Sequence, residues 1–318
     1  MGRAVVREFA GHGYDVAILA RGDAGLKAAA ADVEGLGGRA LPLECDVSSL
    51  DEVEVAAKRV EAELGPIDVW VNVAFVGALR FFWDTSDALY RRINDVTYMG
   101  FVNGTRVALT LMRRRDRGVV VQVGSALAHR GIPLQSAYCG AKHAIRGFTE
   151  SVITELIHER SKVKVCMVDL PGVNTPQFDW NDSEFDEHPM PVPPIFQPEV
   201  PARVVRYVAE HPRRSAWVGF PTVKTILGNR VAPWFLDWYL GRKVVQGQLS
   251  DTDGPRRGSN AFEPKDQTAD AGAHGMFDDQ ARSSDPWSWT SMHRSALGAG
   301  AVVAAVGTVA ARVARARR

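Results

Sequence analysis

Tyr138 and Lys142 are four residues apart, so on a helix a phenol and an ammonium share one face. A free phenol titrates near pH ~10, too high for proton exchange at neutral pH. A fixed positive charge beside it favours the phenolate and draws that value down. Ser125, thirteen positions upstream, offers a hydroxyl that can hold a carbonyl oxygen in place. The three groups together suit proton transfer to or from an oxygen on carbon. The four-residue spacing alone is common by chance, and an exposed helix face would explain it. Its setting carries the inference.

That setting is a strand, a loop and a helix. Gly118–Ser125 is β-branched and apolar and reads as a buried strand. Gly131 and Pro133 mark a loop, and Ala137–His158 has helical apolar spacing through Ile145, Phe148, Val152, Ile153 and Leu156. Ser125 therefore ends a strand at its carboxyl end, where open α/β sheets bind ligands. Elsewhere strands are expected at Tyr14–Ala20, Ala40–Leu43, Val69–Asn72, Val163–Val168 and Ala216–Val218. Helices are expected at Arg3–His12, Ala24–Leu36, Leu50–Leu64, Ser86–Met112 and Val200–His211. This alternation predicts an α/β fold with a doubly wound, mostly parallel sheet.

The chain has 318 residues, enough for one large core and a tail. Its net charge of +1 argues against a nucleic-acid partner. Cys45, Cys139 and Cys166 lack disulfide or metal spacing, the histidines form no zinc pattern, and no metal site is expected. A reducing, cytoplasmic location fits, and the first residues read as a charged amphipathic helix rather than a secretory leader. Three regions follow: a Rossmann-like domain over 1–248, a polar, weakly ordered linker over 249–292, and an Ala/Gly-rich apolar segment with a basic end over 293–318. The uncharged run 296–311 is shorter than the ~20 residues that span a bilayer, so a docked or loose helix is favoured over a membrane anchor. Val223–Val245 carries an aromatic stripe that could cover the pocket, form a subunit contact or touch a membrane surface, with core packing the commoner cause.

The whole arrangement resembles the short-chain dehydrogenase/reductase family from Gly2 to about Phe220. Ser125, Tyr138 and Lys142 fall where that family keeps its catalytic residues. Asp46-Val47 resembles its adenine-contacting step, Asn72-Val73-Ala74-Phe75 its Asn-Asn-Ala-Gly loop, and Val168-Asp169-Leu170-Pro171-Gly172-Val173-Asn174-Thr175 its Pro-Gly segment along the nicotinamide. The resemblance implies hydride transfer between a nicotinamide cofactor and an alcohol or carbonyl, with Tyr138 as acid/base. It also implies cofactor contacts from Tyr138 and Lys142 themselves, and a homodimer or homotetramer paired through the helices of Thr97 and Tyr138.

There are three departures from the family pattern. Phe75 replaces the last glycine of the loop, and Thr97 stands where the family has a catalytic asparagine. Gly2 matches only the final glycine of the family's phosphate-cradling turn, and the strand before that turn has no counterpart. The sheet is thus expected to lack its first strand, leaving the strands at Val16 and Val69 without a shared partner. A gene start assigned too far downstream is favoured over deliberate truncation, and the chain as given should bind cofactor poorly. Arg21 follows the strand ending at Ala20, where an acidic residue would accept the ribose hydroxyls of NAD. Arginine can pair with a 2′-phosphate, so NADP(H) is preferred over NAD(H), with a solvated surface arginine as the alternative.

The substrate class is weakly specified. Phe75, Phe81, Phe82, Phe178, Trp180, Ile195 and Phe196 could wall an apolar pocket for a bulky alcohol or ketone, plain packing being equally common, and 177–194 could form a lid, with an ordinary surface loop favoured. Two other readings stand beside the enzyme: a non-catalytic binding or scaffold relative, and a membrane-associated protein defined by its tail.

Overall fold

The computed structural model describes residues 1–254 and 258–294. Four parallel strands form the main sheet: β3 (Val69–Asn72), β4 (Val119–Val123), β5 (Lys164–Asp169) and β6 (Ser215–Trp217), in the order β3-β4-β5-β6. Two more, β1 (Val16–Ala20) and β2 (Ala40–Glu44), pair in parallel with each other. The segments 296–311 and 312–318, read above for membrane contact, lie outside the described residues.

The strands alternate sides, as the period of two requires. Val121, Val123, Cys166 and Val168 face a core shared with α1 (Gly2–Ala10) and α7 (Glu199–Glu210). Val120 and Val165 face the opposite core with α3 (Leu50–Glu63) and α5 (Gly100–Arg114). On α1, Ala4, Val5 and Phe9 repeat at helical spacing and are buried, while Arg7 Nε on the other face binds Asp32 of α2 (Asp23–Gly35) at 2.5 Å. Ser49 caps α3 by accepting from the Glu52 amide at 3.3 Å.

The helical stretch expected over Ser86–Met112 is two helices, α4 (Asp87–Asn94) and α5, joined by a π-helical turn at Asp95–Met99. Side-chain periodicity cannot reveal that extra residue in the turn. Its consequence is local: it delivers Thr97, fully buried, against the backbone of Val76.

Between β1 and β3 no ladder forms. A cavity of about 580 Å³ lies there, lined by Val5, Phe9, Ile18, Val69 and Val71. This agrees with the two unshared edges expected at Val16 and Val69. The Val16 amide donates toward β2 through Arg39 O, and Val119 of β4 donates to Asp68 O. Parallel ladders alternate, so the amides of Ala17 and Leu19 and those of Val69 and Val71 face the cavity.

Two regions depart from the sequence reading. The stripe in Val223–Val245 forms α8 (Phe220–Val231) and α9 (Pro233–Lys243), and Trp234, Phe235, Trp238 and Tyr239 are exposed rather than packed in the core. Composition suggests weak order over 249–292, yet Ala261, Ala273 and Phe277 are buried against the body. These anchors are spaced without any period, and a periodic pattern search passes over them.

Hydrogen exchange resolved by residue should find Ala17, Leu19, Val69 and Val71 exchanging faster than Val16, Trp70 and Val121. Equal protection of alternate amides along β1 and β3 would contradict the split sheet.

Candidate active site

Ser125 stands two residues after β4, in extended conformation, and its Oγ accepts from the Leu127 amide at 3.1 Å. Pro133 and Leu134 then lead into α6 (Ser136–His158), which carries Tyr138 and Lys142 on one face. The Ser125 hydroxyl lies close enough to the Tyr138 phenol to lower its pKa. Lys142 is 2% exposed, and its Nζ donates to Val123 O at 2.8 Å. That carbonyl belongs to the last residue of β4, two positions before Ser125, so one strand end fixes both groups. Three rings surround the ammonium, with Phe101 at 4.7 Å, Tyr138 at 5.6 Å and Phe75 at 5.7 Å to the centroids.

Burial dominates the electrostatics. It lowers the Lys142 pKa to about 7, opposed by the negative charge of Asp169, which raises it. Burial also pushes the Tyr138 phenol well above its ordinary value; the Ser125 hydroxyl lowers it, and the nearby Cys139 and Asp169 raise it. The sequence argument relied on the lysine charge to lower the phenol's pKa. Here the lowering influence is Ser125, and the lysine itself is held near neutrality.

Asp169, at the end of β5, is buried and was not singled out from the sequence. Its Oδ2 lies 2.9 Å from His129 Nε2, and Arg146 Nη1 lies 3.0 Å from His129 Nδ1. An arginine can only donate, so Nδ1 accepts and Nε2 carries the proton given to Asp169. Desolvation raises the Asp169 pKa, while His129, Arg146 and Lys142 lower it. The clue in the sequence was an acid immediately before Leu170-Pro171-Gly172, overlooked because only the Pro-Gly step was read.

Thr97 Oγ1 accepts from the Val76 amide at 3.1 Å and donates to Val76 O at 3.0 Å. Both its hydrogen-bonding roles are spent on the loop after β3. Asn72 is likewise committed inward: its Nδ2 donates to Gln122 Oε1 at 2.9 Å and Thr105 Oγ1 at 3.1 Å, and its Oδ1 accepts from Trp70 at 2.8 Å. A Cβ on Gly104 would lie 2.2 Å from that Oδ1, so α5 needs glycine there. Asn72 therefore ties β3 to α5 by its side chain.

Part of the remaining predicted set gathers at a second cavity of about 290 Å³ at the carboxyl ends of the strands, without Pro171, Gly172 or Val173. Gly2, Arg21, Asp46, Val47, Ala74 and Thr175 all line it. Asp46 accepts from Ser48 Oγ at 2.7 Å and from Arg92. Pro171 is half-buried beside Gly172–Val173, which pair with Ile195–Phe196. Of the expected pocket aromatics, Phe75 contacts the Tyr138 ring at 5.5 Å, Ile195 and Phe196 are core residues, and Phe82 is 63% exposed. Cys45, Cys139 and Cys166 are free and buried.

The groove also has a cover that the sequence did not disclose. Arg21 donates to the carbonyl oxygens of Asn260 at 2.5 Å and Phe262 at 3.1 Å. Asp266 sits at the start of α2, so close that a Cβ on Gly22 would lie 1.9 Å from its Oδ1. Farther along, Asn174 Nδ2 donates to Asp278 Oδ1 at 2.8 Å. Residues 260–278 thus run across the strand ends from Arg21 to Asn174.

Residues 1–184 match the short chain dehydrogenase family, more than half of the chain. The protein belongs to that family. It is 29% identical over 282 residues to the uncharacterized oxidoreductase YxnA of Bacillus subtilis, covering 87% of this chain and 77% of that one. It is 34% identical over 167 residues to the 3-oxoacyl-[acyl-carrier-protein] reductase of Bos taurus, covering 52% of this chain and 68% of that one. Among solved structures, a short-chain dehydrogenase from Streptomyces avermitilis superposes with a TM-score of 0.62 at 24% identity, over 78% of this chain and 94% of that one. An alcohol dehydrogenase from Thermococcus sibiricus, solved with 5-hydroxy-NADP, gives 0.57 at 22% identity, over 68% and 88%. These structures speak for the fold. Family membership makes the chain an oxidoreductase of the short-chain type.

The buried lysine should be visible in stability. An unfolded lysine keeps its proton to about pH 10.4. Folded Lys142 releases it near pH 7, so between those values the unfolded state carries the extra proton and stability rises with pH. Urea unfolding of the parent and of Lys142→Met across that window should show this extra rise in the parent only. Parallel curves would contradict the assignment.

Proposed function

We propose that the protein interconverts an alcohol and a ketone or aldehyde with NADP(H), using Tyr138 as acid/base. The observation that carries the reading is the gathering of Ser125, Tyr138 and the buried Lys142, whose Nζ donates to Val123 O, at the end of β4. A nicotinamide cofactor supplies the hydride when bound. The donor set suits such a group: a guanidinium at the end of β1, a helix start at Gly2, a groove along the strand ends, and a buried ammonium beside the acid/base pair.

In the reduction direction Tyr138 Oη gives its proton to the carbonyl oxygen. Burial favours the protonated phenol, which is the form needed to donate. Ser125 Oγ donates to the same oxygen and stabilises charge as it develops. Lys142, anchored on Val123 O, steadies the phenolate left behind and offers donors for a ribose. Thr97 and Asn72 support this from a distance: Thr97 fixes the loop carrying Phe75, and Asn72 fixes β3 to α5. Val47, Ala74 and Thr175, which line the second cavity, would border the cofactor, with Pro171, Gly172 and Val173 leading up to Thr175 and Asp46 holding Arg92 beside Arg21. An apolar substrate and a homodimer or homotetramer in the cytoplasm complete the proposal.

Arg21 supports NADP(H) over NAD(H). Its donors meet backbone carbonyls of 260–262, which an incoming 2′-phosphate would have to displace. One observation favours a non-catalytic relative: Thr97 is committed to Val76 and offers the lysine nothing.

Tyr138→Phe should lower turnover with a ketone panel roughly 10²–10⁴-fold while NADPH affinity holds. Undiminished turnover removes the tyrosine from the chemistry. Arg21→Ala should weaken NADPH roughly ten- to a hundredfold, the worth of a charged hydrogen bond, and leave NADH unchanged. Equal losses for both cofactors would contradict the 2′-phosphate role.

A further inference from the structure

The α8–α9 face is used neither by the core nor by the candidate site. None of the residues of α9 is buried, and Trp234 is 73% and Trp238 55% exposed. Phe235 links the rings, with centroids 6.1 Å from Trp234, 6.0 Å from Trp238 and 6.2 Å from Tyr239. On α8, Leu227 and Val231 are also exposed, the latter at 84%. Single exposed apolar side chains are ordinary, whereas a connected aromatic surface on one helix pair marks a contact.

The charges on this face are one-sided. Between Phe220 and Lys243 stand Lys224, Arg230, Arg242 and Lys243 against one acid, Asp237. Asp237 is already paired with Arg130. Arg242 lies over the Trp238 ring at 4.8 Å, and among the described residues Lys224, Arg230 and Lys243 have no acidic partner.

We infer that the α8–α9 face docks on the headgroup layer of an anionic lipid bilayer. Indoles and phenols present an apolar body with a polar edge, which suits that layer, and cations around them reach lipid phosphates. A second copy of this chain fits less well. A two-fold dimer would set this cationic face against itself. Among the described residues no helix is long and apolar enough to cross a membrane, so the contact lies along the surface. The two helices themselves are tied to the candidate site. Arg130 bonds Asn229 at 3.1 Å and Asp237, and Asn229 Nδ2 donates to His129 O at 2.8 Å, tying both helices to the turn after Ser125. On the proposed enzymatic reading, an apolar alcohol or ketone would pass from lipid to Ser125 over this edge.

The test uses the full chain and sedimentation with phosphatidylcholine vesicles, with and without phosphatidylglycerol. The parent should partition onto the anionic vesicles with a blue shift in tryptophan emission. Trp234→Ser/Trp238→Ser and Arg242→Glu/Lys243→Glu should each cut partitioning by about tenfold or more, with melting temperatures unchanged. Partitioning equal to the parent in both variants would overturn the inference and move any contact to 296–311. No partitioning by the parent would also overturn it, as would a concentration-dependent dimer abolished by the same substitutions. None of these readouts depends on turnover, so the enzymatic reading stands or falls separately.

Discussion

A positive charge held in an apolar site, on a single backbone carbonyl, is the constraint around which this structure is arranged. Lys142 Nζ donates to Val123 O and sits among the rings of Phe101, Phe75 and Tyr138. An ion so placed costs several kcal/mol unless its donors and its field are answered. Val123 answers one donor, the ring faces answer part of the charge, and Asp169 supplies a negative field. Val123 is also the last residue of β4, so the strand that places the lysine delivers Ser125 two positions later. Displacing that strand end would disturb all three groups.

The carboxylate behind the lysine is itself arranged in depth. Asp169 receives His129, and His129 receives Arg146, so an arginine near the surface balances a buried acid through a neutral ring. The same turn that holds His129 is bound to α8 through Asn229. Site electrostatics and the aromatic face of α8–α9 therefore share one short loop. The cover of residues 260–278 closes the opposite end of the groove, meeting Arg21 and Asn174.

Much of this was legible in the sequence, for identifiable reasons. β-branched runs such as Val119–Val123 and helical spacing in α6 are local signals, and each recurs in the structure. The proximity of Ser125, Tyr138 and Lys142 followed from placing them on a strand end and one helix face. What escaped notice depends on long-range contact. Asn72 looked like a groove residue, but its donors pair with Gln122 and Thr105, fifty and thirty-three positions away. The π turn at Thr97 is set by packing against Val76. The cover at 260–278 binds mostly by backbone carbonyls, which no side-chain pattern encodes. The effect of Lys142 on Tyr138 was judged by proximity alone; burial of both groups outweighs it.

The most direct measurement follows a deuterium label from the 4-position of NADPH into the products of a ketone panel by mass spectrometry. The parent and a folded Lys142→Met variant are compared. The account predicts label on the carbinol carbon with the parent and loss of it with the variant. Equal label transfer by the two proteins, or none from any ketone with the parent, would contradict it.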